Sequence, residues 1–290
     1  VDTSTDVPCD DTILGHVGEA YRKIRNTLRF LLGEIEGQFD PATDAVALSE
    51  LLPYDRLTLA RMCEVHATVT EAYRGYRFNV VYRNLYDYVT ELSNGYLNAT
   101  KDRVYCGEKN GFERRSALTV WAQVLSMLVH DLQPILCFTC DEVMAFLPAS
   151  MRDAQKYAAL LDWYQAPWTP EECKRELAAY DELASARDAF TKAFEEAKEV
   201  GIVTEKTSQG ARAELTLPAE AMGLLAGEKP VDLAEVFVCS DASVTPGDEL
   251  ACTVAPAEGE KCPRCWNYRT LGPDGLCCRC HDAVAAAGAE

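Results

Sequence analysis

Five of the chain's thirteen cysteines crowd between residues 262 and 280. Cys262-Pro263-Arg264-Cys265 is followed, after eleven residues, by Cys277-Cys278-Arg279-Cys280. Each CxxC pair forms a turn that directs two sulfurs at one cation. Four thiolates close a tetrahedral shell around zinc and leave no position for water. A site of that kind supplies folding energy rather than catalysis, and the segment has too few apolar residues to fold alone. The pattern therefore predicts a structural zinc held by Cys262, Cys265, Cys277 and Cys280. Cys278 is read as a bystander. It and His281 are the other residues able to complete the shell, and an iron site or a redox dithiol is the competing chemistry.

The other reactive residue types read as structural. Cys137-Phe138-Thr139-Cys140 has the same spacing but lies in an apolar helical pattern, where cysteine packs as a small hydrophobe. His16, His66 and His130 stand alone on three different helices, each a satisfied structural histidine. There is no phosphate-cradling P-loop, dinucleotide glycine turn, nucleophile elbow or paired-histidine protease motif. The sequence predicts no independent active site.

Basic residues fall into groups. At about 100° per helical residue, Arg22, Arg25, Asn26 and Arg29 share the face opposite an apolar stripe of Ile13, Val17, Ala20, Ile24, Leu28, Leu31 and Ile35. Lys23 belongs to the same run. A solvated face is the plain reading, but such faces ordinarily mix signs, and arginine is well shaped for phosphate. Arg74, Arg77 and Arg83 lie near Tyr73, Tyr76 and Tyr82. Lys101, Arg103, Arg114 and Arg115 form a third group, diluted by Asp102, Glu108 and Glu113. Trp266 follows the first cysteine pair, and either covers the metal loop or offers its face to a base. Basic residues interleaved with aromatics suit a single-stranded RNA loop with splayed bases.

The elements that must position these groups are mainly α. Apolar residues at three- and four-residue steps predict helices over 11–37, 54–76, 78–100 and 111–131. A fifth starts near Pro134 and stops before Pro148. These form a helical bundle over 1–148. Residues 149–200 read as a linker with Trp163 and Trp168, then a long helix from Glu171 to Val200. Its buried side is predicted to carry Leu177, Tyr180, Ala184, Arg187, Phe190, Phe194 and Ala197. Over 201–257 short β-like runs (Ala213–Leu217, Val236–Ser240, Leu250–Val254) surround a short helix near 219–226, predicting a small α/β module. The zinc ribbon occupies 258–290.

Composition agrees with a folded chain. It has 290 residues, 48% of them hydrophobic, and a net charge of −18, which argues against non-specific nucleic-acid binding while leaving local basic patches open. No run approaches the ~18 apolar residues of a membrane span. An odd number of cysteines, scattered through helices apart from the terminal cluster, reads as reduced thiols in a cytoplasmic protein. Val1 is expected to be a cut inside a longer protein.

Four segments resemble the helical anticodon-binding domain of class I aminoacyl-tRNA synthetases. They are YRKIRNTLRFLLG at 21–33, YLNATKDRVY at 96–105, RRSALTVW at 114–121 and PILCFTCDEVMAFLP at 134–148. CPRCWNY at 262–268 with the closing CCRC resembles the C-terminal zinc module of the bacterial isoleucine branch of that family. The resemblance is thinnest over 201–257. The chain departs from the family pattern at Asn98, Ala99 and Thr100, and at Met144, where tryptophan is usual. The resemblance implies a parent enzyme that uses ATP and magnesium to attach isoleucine to its tRNA, with the catalytic core and editing domain upstream of Val1. It leaves this region the grip on the anticodon stem-loop of isoleucine tRNA, in a cytoplasmic monomer, without activity alone. The alternative is a helical protein-interaction scaffold carrying a structural zinc ribbon.

Overall fold

A computed structural model describes residues 6, 10–152 and 154–288. The chain packs as two compact units interleaved along the sequence. One is formed by Val1–Ala47, Thr58–Asn94 and Leu118–Cys173, the other by Leu48–Leu57, Gly95–Ala117 and Lys174–Glu290.

The first unit is helical. Helix α1 (Asp11–Ile35) starts where the Asp10 carboxylate accepts the Ile13 N–H at 2.7 Å, an N-cap. It ends before Gly37, whose φ is +68°. Helix α2 (Pro41–Asp44) is a single capped turn. The unit also contains helix α3 (Pro53–Arg74) from Thr58 onward, and helix α4 (Phe78–Asn94). Its core is the inner face of these helices: Ile24, Leu28, Leu31 and Ile35 meet Val81, Leu85, Val89 and Leu92, all buried. The α1 stripe extends less far than its periodicity suggests. Val17 is more than half exposed, because the buried contacts begin only at Ala20.

Helix α3 ends in a Schellman turn: Tyr76 N–H donates to Tyr73 O and Arg77 N–H to Ala72 O. The left-handed residue that closes it is Tyr76, at φ +54°. Such a conformation costs a non-glycine residue about 1–2 kcal/mol.

The continuous helix expected over 78–100 is two helices. Gly95, at φ −100° and ψ −98°, leaves the helical region, and helix α5 (Tyr96–Cys106) starts afresh in the second unit. Helix α6 (Phe112–Leu132) matches its expected span. The helix expected from Pro134 begins instead at Cys137, as α7 (Cys137–Met144). Residues 133–136 form a turn closed by Leu136 N–H on Leu132 O, so proline precedes the helix rather than opening it. The 149–170 stretch is irregular but anchored within its unit: the Trp163 indole donates to Thr70 and the Tyr164 hydroxyl to Gln123.

In the second unit, helix α8 (Lys174–Glu199) buries Ala179, Leu183, Ala186, Phe190, Phe194 and Ala197. The predicted face is right in its C-terminal half but rotated toward the start, where Ala184 is exposed and Leu183 buried. Strands β1 (Ala211–Leu217), β2 (Asp241–Pro246) and β3 (Ala251–Pro256) form a sheet with β1 central, parallel to β2 and antiparallel to β3. Between them lie α9 (Ala219–Leu225) and α10 (Leu233–Phe237). The strand expected over Val236–Ser240 is thus replaced by a helical turn. Asp232 accepts the Glu235 N–H at 3.2 Å, and this N-cap outweighs the β-branched run behind it. Phe237 stacks on Phe190 at 4.7 Å, tying α10 to α8.

Strands β4 (Glu260–Lys261) and β5 (Tyr268–Arg269) make a small hairpin, and helix α11 (Cys278–Ala287) closes the fold. No helix among the described residues is long and apolar enough to cross a membrane.

Candidate metal centre and nucleic-acid interface

The β4–β5 hairpin carries the first cysteine pair at its tip. Cys262 N–H donates to Asn267 O and Trp266 N–H to Cys262 O, which turns both sulfurs to one side. The hairpin needs Gly259: its φ is +93°, and a Cβ there would lie 2.8 Å from the Arg269 backbone. The second pair comes from the start of α11. Cys277 is its N-cap residue and Cys280 lies in its first turn, where the positive end of the helix dipole favours thiolate.

These elements bring the Sγ atoms of Cys262, Cys265, Cys277 and Cys280 within 4.8 Å of one another. All four are buried free thiols. A metal–sulfur bond of about 2.3 Å in a tetrahedron requires sulfurs about 3.8 Å apart, and Cys265 and Cys277 are separated by 3.8 Å. The set has the dimensions to hold a metal ion.

Burial disfavours the Cys262 thiolate, but N–H groups of Cys265, Cys277 and Arg264 outweigh it and bring the thiol down to about 6. Burial pushes Cys265 and Cys280 up. A cation held there would supply the charge that lets all four ionise together. Cys278 is exposed, and His281 turns away to Asp274 at 2.7 Å, so neither joins the set.

Sequence spacing did not reveal what seats this module. The side chain of Arg264 donates to Cys106 O at the end of α5, the Cys106 thiol donates to Arg264 O at 3.4 Å, and Arg279 pairs with Asp102. Cys106, Leu271 and Leu276 pack against the four sulfurs. The arginines inside the two CxxC motifs were visible signals. Their partners, more than 150 residues earlier, were not.

The basic residues divide sharply. On α1, Arg22, Asn26 and Arg29 are exposed. Arg22 pairs with Glu19, and Lys23 sits 5.5 Å over the Tyr86 ring. Arg25 is held by both oxygens of Glu142 at 2.7 and 2.9 Å. The face expected to be purely basic therefore mixes signs, because Glu19 and Glu142 reach into it. Arg74, 3.5 Å from Glu71, and Arg77 are exposed.

Two members of the third group are corrected. Arg103 is buried, with Asp55 at 2.7 and 3.0 Å and Glu235 at 2.5 Å. Arg114 is buried and donates to the carbonyls of Val104 and Lys109. Both guanidiniums hold the fold together and are withdrawn from an RNA surface. Arg115 is half-buried. Lys101, bonded to Asn98, lines a cleft of about 770 Å³ in the second unit together with Tyr105, Arg264, Trp266 and Arg269. Trp266 is 56% exposed at φ +67°, with Lys261 5.9 Å from its ring. The tryptophan offers a face rather than covering the metal loop.

His66, read as a satisfied structural histidine, is one: its Nδ1 lies 2.9 and 3.0 Å from the buried Asp131. The pair is internal to the helical unit. Cys140 is buried as expected, whereas Cys137 is exposed at the first position of α7.

Together these features define a mainly α chain with a cysteine-built metal module and exposed cationic and aromatic surfaces. Residues 55–222 match the family model described as the anticodon-binding domain of tRNA ligase, and the chain belongs to that family. It is 37% identical over 292 residues to an isoleucine–tRNA ligase of Thermotoga petrophila, covering 96% of this chain and 31% of that protein. It is 37% identical over 294 residues to one from Desulforudis audaxviator, covering 95% and 31%. It is 34% identical over 313 residues to one from Nitratidesulfovibrio vulgaris, covering 100% and 32%. The chain spans about a third of the length of these relatives.

Proposed function

We propose that the chain is the tRNA-gripping region of an isoleucine–tRNA ligase and binds the anticodon stem-loop of isoleucine tRNA. The observation that carries this reading is the similarity to isoleucine–tRNA ligases along nearly the whole chain, metal module included. The exposed donors Arg22, Asn26 and Arg29, with Arg74 and Arg77, suit phosphates. Lys101 and Trp266 beside the second unit's cleft suit a splayed base.

The metal is zinc, held by Cys262, Cys265, Cys277 and Cys280. When bound it cross-links the hairpin and α11 and performs no chemistry. ATP, magnesium and the attachment of isoleucine belong to the remaining two-thirds of the longer ligase, which acts in the cytoplasm as a monomer.

The test is binding of isoleucine tRNA, its isolated anticodon stem-loop and an unrelated hairpin of equal length. Preference for the cognate stem-loop is the expected result. Equal binding to all three overturns the reading in favour of a protein-interaction scaffold.

A further inference from the structure

We propose that the turn between α3 and α4 is a base-stacking step, at which the ring of Tyr76 receives one unpaired base of the bound tRNA; this rests on the tRNA-binding reading above. Tyr76 occupies the left-handed position of the Schellman turn, at φ +54°, although a glycine stands immediately before it. Glycine fills that position without strain. Burial does not compensate the tyrosine, whose side chain is 80% exposed. Neither local geometry nor the core accounts for an aromatic ring there.

The ring is mounted on a rigid support. Tyr76 meets Phe78 edge-on at 6.3 Å, Phe78 meets Tyr73 at 6.1 Å, and Tyr73 meets Trp163 at 5.5 Å. Tyr73 is itself fixed by its hydroxyl, which donates to Asp131 O at 2.6 Å. The series of rings runs out to the surface and ends on an open aromatic face.

Charge selects the occupant. Arg74 and Arg77 flank Tyr76 in sequence and are exposed, Arg74 lying 3.5 Å from Glu71, and Arg83 lies on the next helix 3.7 Å from Asp87. The Arg77 side chain folds back over Gly75, where a Cβ would lie 3.1 Å from its Nε. Exposed arginines on either side of an exposed ring in sequence, in a chain of net charge −18, fit a phosphate-linked base better than a peptide. Stacked A-form pairs offer no free base face, so the partner is an unpaired nucleotide.

The experiment uses the 290-residue chain with isoleucine tRNA transcript, and an anticodon stem-loop carrying 2-aminopurine at one loop position at a time. Tyr76→Gly should weaken tRNA binding about tenfold, the scale of one lost stack, and abolish the fluorescence change at one position. Its melting temperature should be no lower than wild type, because glycine relieves the left-handed residue. Tyr76→Phe should keep both affinity and fluorescence change. Unchanged binding by Tyr76→Gly, with wild type binding normally, overturns this inference alone. Affinity and melting temperature falling together would mark Tyr76 as structural and also overturn it. If wild type does not prefer isoleucine tRNA, the functional reading fails and takes this inference with it.

Discussion

Replacing Arg103 by alanine leaves Asp55 and Glu235 buried without their counter-charge. Breaking a buried set of this kind costs about 3–5 kcal/mol. Asp55 also accepts from Tyr96 and Ser116, so the loss should spread through the second unit and appear in urea denaturation. Any fall in tRNA binding by Arg103→Ala should track the unfolded fraction, and full binding at wild-type stability would contradict the assignment. Glu235 gives the pH dependence. Burial lifts it to about 7 from an ordinary 4.5, against the opposing pull of Arg103. A raised acid holds its proton in the folded state while the unfolded chain has released it. Stability from this group is therefore full below about 4.5, falls as pH rises toward 7 and is level above. Glu235→Gln should flatten the stability–pH curve of the second unit over that window, and an unaltered slope would show that another group titrates.

At the scale of elements, the β4–β5 hairpin and α11 have few apolar residues, so a metal held by the four sulfurs would supply their core. Cys262→Ser should release one equivalent of zinc per chain and remove hydrogen-exchange protection from 260–280, leaving α1 and α4 protected. Retention of a full equivalent would defeat the ligand assignment. These cysteines were legible because a CxxC turn is complete within four residues. The helices of the first unit were legible for a similar reason: Leu28, Leu31 and Ile35 repeat at the helical period over many turns. What failed was decided by single residues or distant partners. One Asp232 N-cap makes Leu233–Phe237 helical where Val236–Ser240 reads as strand, and one glycine at 95 divides α4 from α5. Arg103 looked available for RNA because its carboxylates lie 48 and 132 residues away in sequence.

Across the whole molecule, a charge of −18 means that a polyanion is attracted only where cations are gathered locally, and repelled elsewhere. Binding to tRNA should weaken steeply with salt. Each phosphate contact removed makes the log–log slope shallower by about 0.7–0.9. Arg25 is already held by Glu142, so Arg22→Ala, Arg25→Ala and Arg29→Ala combined should reduce the slope by about one to two units, and Arg25→Ala alone should barely change it. A salt series with parallel thermal melts checks both. An unchanged slope in the triple variant, with an unchanged melt, would return the α1 face to plain solvation.

The interleaving of the two units has a consequence for how the chain is made. Asp55, Arg103 and Glu235 close one buried cluster, yet Glu235 is synthesised 180 residues after Asp55. At roughly 5–20 residues per second, the aspartate waits about ten to forty seconds on the ribosome for the rest of its charge partners. During that interval the segments 48–57 and 95–117 have only each other, through Asp55 with Tyr96, Arg103 and Ser116, although the helices of the first unit are largely complete by residue 173. The second unit is thus completed last, and a chain arrested before Glu235 leaves its charge cluster one carboxylate short.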